Sequence, residues 1–261
     1  MERRLARSVP AVIALALLSS ALSAQSERRY AAPYPRPGVL KLGESDRVIA
    51  WEVLREKGVR SPMYELPLDQ VTVTLTDGAV RFTTPDGAYR ISQEKFGAVR
   101  FDSKRTVVQE EGLSDIPSRA IVFQLKDVPS STLRPVDGIP GQFPRINAVK
   151  LFENDRINVW DQIWLPNQTI TNHLHYTQTV AVFLSGGKLL TRDLGKPSNA
   201  PFERHQGELL GVPRPRSDGA GSAGSAGPRA GANAAAPPPP MVPHEEEWAG
   251  GEPRAIWIEF K

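Results

Sequence analysis

The sequence predicts an all-β protein built as two tandem copies of one strand-rich barrel, with a low-complexity insertion in the second copy. Three observations carry this. Short runs of branched and aromatic residues recur between turn signals, and no segment holds a helical hydrophobic period of any length. Two strand patterns occur twice. Asp46-Arg47-Val48-Ile49-Ala50-Trp51-Glu52 is echoed by Asp155-Arg156-Ile157-Asn158-Val159-Trp160-Asp161, an offset of 109 in the numbering. Arg119-Ala120-Ile121-Val122-Phe123-Gln124-Leu125-Lys126 is echoed by Arg254-Ala255-Ile256-Trp257-Ile258-Glu259-Phe260-Lys261, an offset of 135. The offset grows by 26, close to the length of the run at residues 217–243. That run is made almost entirely of Gly, Ala, Ser and Pro, cannot supply a core and is expected to be disordered.

The chain starts with a segment to be set aside. Arg3, Arg4 and Arg7 precede an apolar run from Val9 to Leu22, and the small residues Ser23 and Ala24 come before Gln25. This reads as a signal peptide over residues 1–24, and the run is short for a membrane span. The mature protein is then expected in the periplasm or outside the cell, free of the membrane after cleavage.

Residues 25–44 carry no period and read as an extended arm. The first copy follows over 45–127. Its strands are expected at Arg47–Leu54, Gln70–Leu75, Ala79–Phe82, Phe96–Phe101, Thr106–Val108 and Arg119–Leu125. A hairpin is expected at Asp77-Gly78 and a further turn at Pro85-Asp86-Gly87. Residues 128–144, rich in Pro, Gly and Ser, read as a linker. The second copy occupies 145–261, with strands at Arg145–Leu151, Arg156–Leu165, Val180–Leu184, Lys188–Asp193, Gly207–Val212 and Arg254–Phe260.

Composition narrows the function. Of the net charge of +3, residues 1–24 hold three Arg and one Glu, leaving +1 for the rest, so the basic balance points to no nucleic-acid partner. The absence of cysteine excludes disulfides, thiolate metal sites and thiol catalysis. No Ser-His-Asp triad, phosphate loop or paired-carboxylate hydrolase pattern stands out.

Two of the four histidines lie one residue apart, at His173 and His175. On a strand they share a face, and two imidazoles one pleat apart can grip one divalent ion. His205 reads as a surface residue. Trp160, Trp164 and Trp257 read as core.

The spacing around these histidines resembles the first motif of the cupin superfamily, which runs Gly, five residues, His-x-His, three or four residues, Glu, six residues, Gly. Asn167 takes the first Gly position, His173 and His175 follow, Thr179 stands at the Glu and Gly186 closes the motif. Gly207, five residues and Pro213-Arg214-Pro215 resemble the second motif, with His244 beyond the insertion as the candidate third histidine. The resemblance implies two jelly-roll β-barrels in tandem, a bicupin. It implies a metal site of His173, His175 and His244 in the second barrel, bordered by Tyr176, Gln178 and Thr179. The metal would be Zn, Fe, Ni, Mn or Cu. In the first copy Met63, Glu65 and Gln109 fall at the histidine positions, so that half is expected to be structural, with Val71, Val73, Phe82, Ile121 and Phe123 as core. Two readings stand open: a binding protein for a small molecule, with a homodimer as the other use of the barrel surface, or a metal-dependent oxygenase, isomerase or lyase acting on a small polar substrate.

Overall fold

The computed structural model describes residues 30–129, 133–213 and 242–261, and among them every regular element is a strand. The proposed leader and the insertion, apart from Val242 and Pro243, lie outside the described residues. The first half holds β1 (Val39–Glu44), β2 (Val48–Arg55), β3 (Tyr64–Glu65), β4 (Asp69–Thr74), β5 (Gly78–Thr83), β6 (Tyr89–Glu94), β7 (Val99–Asp102), β8 (Val107–Gly112) and β9 (Ser118–Leu125). The second holds β10 (Ala148–Glu153), β11 (Ile157–Ile163), β12 (Ile170–His173), β13 (Thr179–Asp193), β14 (Phe202–Arg204), β15 (Leu209–Leu210) and β16 (His244–Phe260).

A five-stranded sheet, β1-β2-β9-β4-β7, and a four-stranded sheet, β3-β8-β5-β6, make the first barrel. The second is one seven-stranded sheet, β10-β11-β16-β13-β14, with β12 on β16 and β15 on β13. Period-two alternation decides what each strand faces. Val48 and Ala50, Val71 and Val73, and Ile121, Phe123 and Leu125 point from the first half toward Ile157, Val159, Val180, Val182, Ile256, Ile258 and Phe260 of the second, forming one shared aliphatic core. A fully buried aliphatic side chain stabilises by about 1.5–3 kcal/mol, so this face, rather than the linker, holds the halves together. Arg156 of the second half adds an ion pair to Asp69 of the first.

The opposite faces of the same strands look into the two barrels and mix aromatic and polar residues with a few small or branched aliphatic ones. Phe82, on β5 of the four-stranded sheet, is buried inside the first barrel rather than in the shared core, with the Arg90 and Arg100 guanidinium carbons 4.2 and 4.5 Å from its ring centre.

The duplication extends into detail. β1 pairs β2 with a register shift between Lys41 and Gly43, and β10 pairs β11 with the same shift at the equivalent place, between Lys150 and Phe152. Gly38 and Asn147, equivalent under the same offset, both adopt positive φ.

Three expectations change. The proposed arm contributes β1, which pairs with β2 as a sheet-edge strand. Asp77-Gly78 does not close a hairpin: β4 pairs with β7 and β9, whereas β5 pairs with β6 and β8, so the turn passes the chain between sheets. Hydrophobic alternation fixes which face a strand buries, and it is silent about which strand lies beside it. Lastly, Val180–Leu184 and Lys188–Asp193 are one strand, β13, bent where Gly187 meets Gly250 and Gly251 of β16. Both glycines of that pair have positive φ, and a Cβ on Gly187 would lie 2.5 Å from Pro253 Cδ. The bend carries the first half of β16 away from the shared core and around the second barrel.

Candidate metal centre

That bend delivers His244 and Glu246 to the barrel interior. β12 runs alongside, with His173 registered opposite His244 and Ile170 opposite Glu246. His175 follows just past the end of β12, after Leu174 bridges to Gly141. Asn167, in the motif's glycine position, has φ near 59°, a conformation that Asn adopts more readily than most residues.

His173, His175, His244 and Glu246 converge, and one ligand atom from each lies within 4.8 Å of all the others. The imidazole centres are 4.5 Å apart for His173 and His244, 5.3 Å for His175 and His244, and 5.5 Å for His173 and His175. Each Nδ1 is already engaged: that of His173 with Thr171 O at 3.0 Å, that of His244 with Val242 O at 3.2 Å, and that of His175 with Thr179 Oγ1 at 3.3 Å. Those bonds leave Nε2 of each ring as the candidate ligand atom, the arrangement in which outer partners orient metal-binding histidines. His175 Nε2 is buried and has no hydrogen-bond partner.

The carboxylate therefore comes from Glu246, on the strand of the third histidine, and not from position 179. Thr179 instead orients His175. The candidate ligand set is thus three imidazoles and one carboxylate, where the motif spacing alone gives three histidines with Glu245, Glu246 or Gln178 open as a further ligand.

Around Glu246 the site is built from deeply buried groups. Trp164 Nε1 donates to Oε2 at 2.8 Å, and Arg145 Nη2 stands 3.4 Å from the same oxygen. Arg145 Nη1 also lies 3.3 Å from His173 Nε2, and its Nε donates to Gln162. Phe143, Trp164 and Trp257 surround the Arg145 guanidinium, with ring centres 4.9, 5.7 and 5.4 Å away.

Burial pulls the imidazole of His173 down to about 4 and that of His175 to about 3, so both are neutral lone-pair donors at physiological pH. Burial acts the same way on His244, but contact with Glu246 outweighs it and lifts His244 above its ordinary value. Burial disfavours the Glu246 charge, yet Arg145 first and His244 next hold that carboxyl well below the usual range.

Beside the cluster lies a cavity of about 690 Å³. His175 forms part of its wall, and Tyr176, Gln178 and Thr179 line it as well. Trp257 lines it too, with Nε1 buried and unpartnered. The linker contributes Leu133, Arg134 and Val136, fastened where Leu133 N donates to Tyr176 O and Val136 N to Tyr176 Oη. Arg47 of the first half completes the wall, so that half is also part of the second barrel's pocket. His205 is exposed and apart from the cluster. Trp160 and Trp164 pack in the second barrel's core with Phe183 and Trp257.

Arg145, Trp164 and Gln162 were not singled out from the sequence as site residues. One signal could have found Arg145: Tyr34-Pro35-Arg36 and Phe143-Pro144-Arg145 repeat at the same offset as the first strand pattern.

No protein-family model matches the chain, and no curated protein matches its sequence. Solved structures do match. AerE from Microcystis aeruginosa is 11% identical over 89% of this chain and 98% of its own, with a TM-score of 0.54. Protein Ylba from E. coli is 10% identical over 92% of this chain and 96% of its own, with a TM-score of 0.52. An oxalate decarboxylase is 10% identical over 89% of this chain and 75% of its own, with a TM-score of 0.51. At these identities the likeness is one of fold, and the shared architecture is the cupin fold in two tandem barrels.

Proposed function

We propose that the second barrel holds one divalent transition metal through His173, His175, His244 and Glu246, and that the adjoining cavity binds a small molecule against it. The observation that carries this is His175 Nε2, a buried ring nitrogen without a hydrogen-bond partner, on a residue whose ligand atom lies within 4.8 Å of three others. A buried polar atom left unpaired is costly, and a metal bond would satisfy it. Three imidazoles and a carboxylate suit Zn, Fe, Ni, Mn or Cu.

When bound, the ion would supply Lewis acidity toward a ligand oxygen on the cavity side. The chain's own groups then define the ligand. Leu133, Val136, Leu174 and Phe260 favour an apolar body, and Trp257 Nε1 offers a donor to an acceptor on the ligand. Arg134 at the wall favours a negative charge. The cavity volume lies within the range of small-molecule sites, about 300–1,000 Å³. Binding without turnover is the reading adopted. The alternative, a metal-dependent oxygenase, isomerase or lyase, draws on the same open side of the ligand set.

The test is cobalt loading. Chelated full-length protein titrated with Co²⁺ should develop visible absorption that saturates at one equivalent, and His175→Ala should not. Saturation at one equivalent in both proteins, or in neither, would contradict the assignment.

Export belongs to the same proposal. The support is the basic start and the apolar run from Val9 to Leu22. N-terminal sequencing of the protein recovered from the periplasm or medium should begin at or near Gln25, and recovery only from the cytosol with residue 1 intact would count against it.

A further inference from the structure

The first barrel has no histidines, yet its interior is not filled. It holds a half-open cavity of about 230 Å³, many times the roughly 10–15 Å³ that one water needs by the same measure. Its place matches that of the second barrel's cavity. Tyr64 bridges to Ala31 as Leu174 bridges to Gly141 in the second copy, and Tyr64 and Leu174 each line the cavity of their own barrel.

The wall is chemically specific. Gln70 is 2% exposed. Its Nε2 donates to Asp102 Oδ2 at 3.3 Å, which fixes the amide orientation and leaves Oε1 as a buried acceptor with no partner. Arg100 Nε donates to both oxygens of Asp102, at 3.0 Å to the same Oδ2 and 3.2 Å to Oδ1, and its Nη1 reaches Glu94 at 2.8 Å. Arg90 lies over the Phe82 ring at the exposed edge and, among the described residues, has no carboxylate within ion-pair distance. Deeper in, Glu110 is gripped by Arg36 and Arg55. Four guanidiniums (Arg36, Arg55, Arg90 and Arg100) thus face three carboxylates (Glu94, Asp102 and Glu110), and the uncompensated charge is positive and sits at Arg90.

We infer that the first barrel is a second ligand site, independent of metal, that takes a small hydroxylated carboxylate. Arg90 meets the carboxylate, Gln70 Oε1 accepts from a hydroxyl, and Phe82 and Tyr64 flank the carbon chain. Glu110 needs no metal there, because two guanidiniums already neutralise it.

The test is isothermal titration of the full chain with D-gluconate as probe, in EDTA and in the His173→Ala/His175→Ala background, so that the second barrel's metal cannot contribute. Gluconate binding is expected to be the same in both backgrounds. It should weaken at least about tenfold in Arg90→Gln, an exposed position where folding is not at risk, because a charge-assisted contact is lost. Glucose, without the charge, and hexanoate, without the hydroxyls, should each bind at least about tenfold more weakly than gluconate. Binding that disappears in the double-histidine background would place the ligand in the second barrel. That result, binding indifferent to Arg90→Gln, or no binding at all would overturn the inference and leave the metal proposal standing.

Discussion

Arg55 and Trp164 hold equivalent positions in the two barrels, and each donates to the buried carboxylate of its own barrel: Arg55 to Glu110 at 3.2 Å, Trp164 to Glu246 at 2.8 Å. Arg36 and Arg145, equivalent under the same offset, complete both pairs. One barrel therefore balances its glutamate with two fixed cations. The other uses one cation and a neutral indole, and places three imidazoles nearby. A dication fits the second arrangement and is excluded from the first by charge.

Trp164→Arg should accordingly transplant the first barrel's solution and abolish metal uptake. Trp164→Phe removes only the hydrogen bond that orients Glu246. It should keep one metal equivalent while weakening affinity by about 10–100-fold, the usual cost of losing such a partner. Competition with a chromophoric chelator measures both, and circular dichroism checks the fold. Full metal content in Trp164→Arg would refute the charge argument.

Glu110→Gln should cost stability and leave the metal centre untouched. It leaves Arg36 and Arg55 buried without an anion, a loss of about 3–5 kcal/mol by the measure of broken buried pairs. Burial disfavours the Glu110 charge, but Arg55 and Arg36 hold its carboxyl well below the usual range. Its contribution is therefore present above the ordinary carboxylate pKa and is lost as pH falls below it. Urea denaturation at pH 7 should show the loss, with metal content unchanged.

The metal-free protein should lose stability as pH falls from about 6.5 toward 4. His173 and His175 refuse protons when folded and accept them when unfolded, so the unfolded state binds more protons in that window and stability falls with pH. His244, lifted by Glu246, acts in the opposite sense: its contribution is gained as pH falls through its raised value and is complete below the ordinary one. Two depressed groups against one raised group leave the net effect destabilising. Denaturation midpoints in EDTA at pH 7 and pH 5 measure it, and His173→Gln/His175→Gln should show a smaller drop. An equal drop in both proteins would assign the acid sensitivity elsewhere.

Deleting residues 217–240 should leave the barrels folded and the metal bound, because the first copy manages without the segment. Val242 must stay, since its carbonyl orients His244 Nδ1. A shift in melting temperature of many degrees, or loss of metal, would show that the segment is docked.

The strand pattern, the tandem repeat and the His173/His175 pair were legible because each has a regular spacing: alternation for the strands and the histidine pair, a constant offset for each repeated strand pattern. Glu246 was harder to place. It stands in a run of three glutamates, and only the register of β16 against β12 shows that Glu246 is the buried one while Glu245 and Glu247 pair with Arg192. Arg145 looked like an ordinary strand-start cation, because nothing local marks a guanidinium that will be enclosed by Phe143, Trp164 and Trp257. The first barrel's cavity left no sequence trace, since Gln70, Phe82 and Arg90 come from three separate strands and meet only when both sheets close.

The most direct test of the account is elemental analysis by mass spectrometry of protein purified without chelator, beside His173→Ala/His175→Ala. About one equivalent of a single transition metal in the wild type, absent from the variant, is the predicted result. No metal in either protein, with both folded, would contradict it and make the histidines part of a metal-free pocket wall.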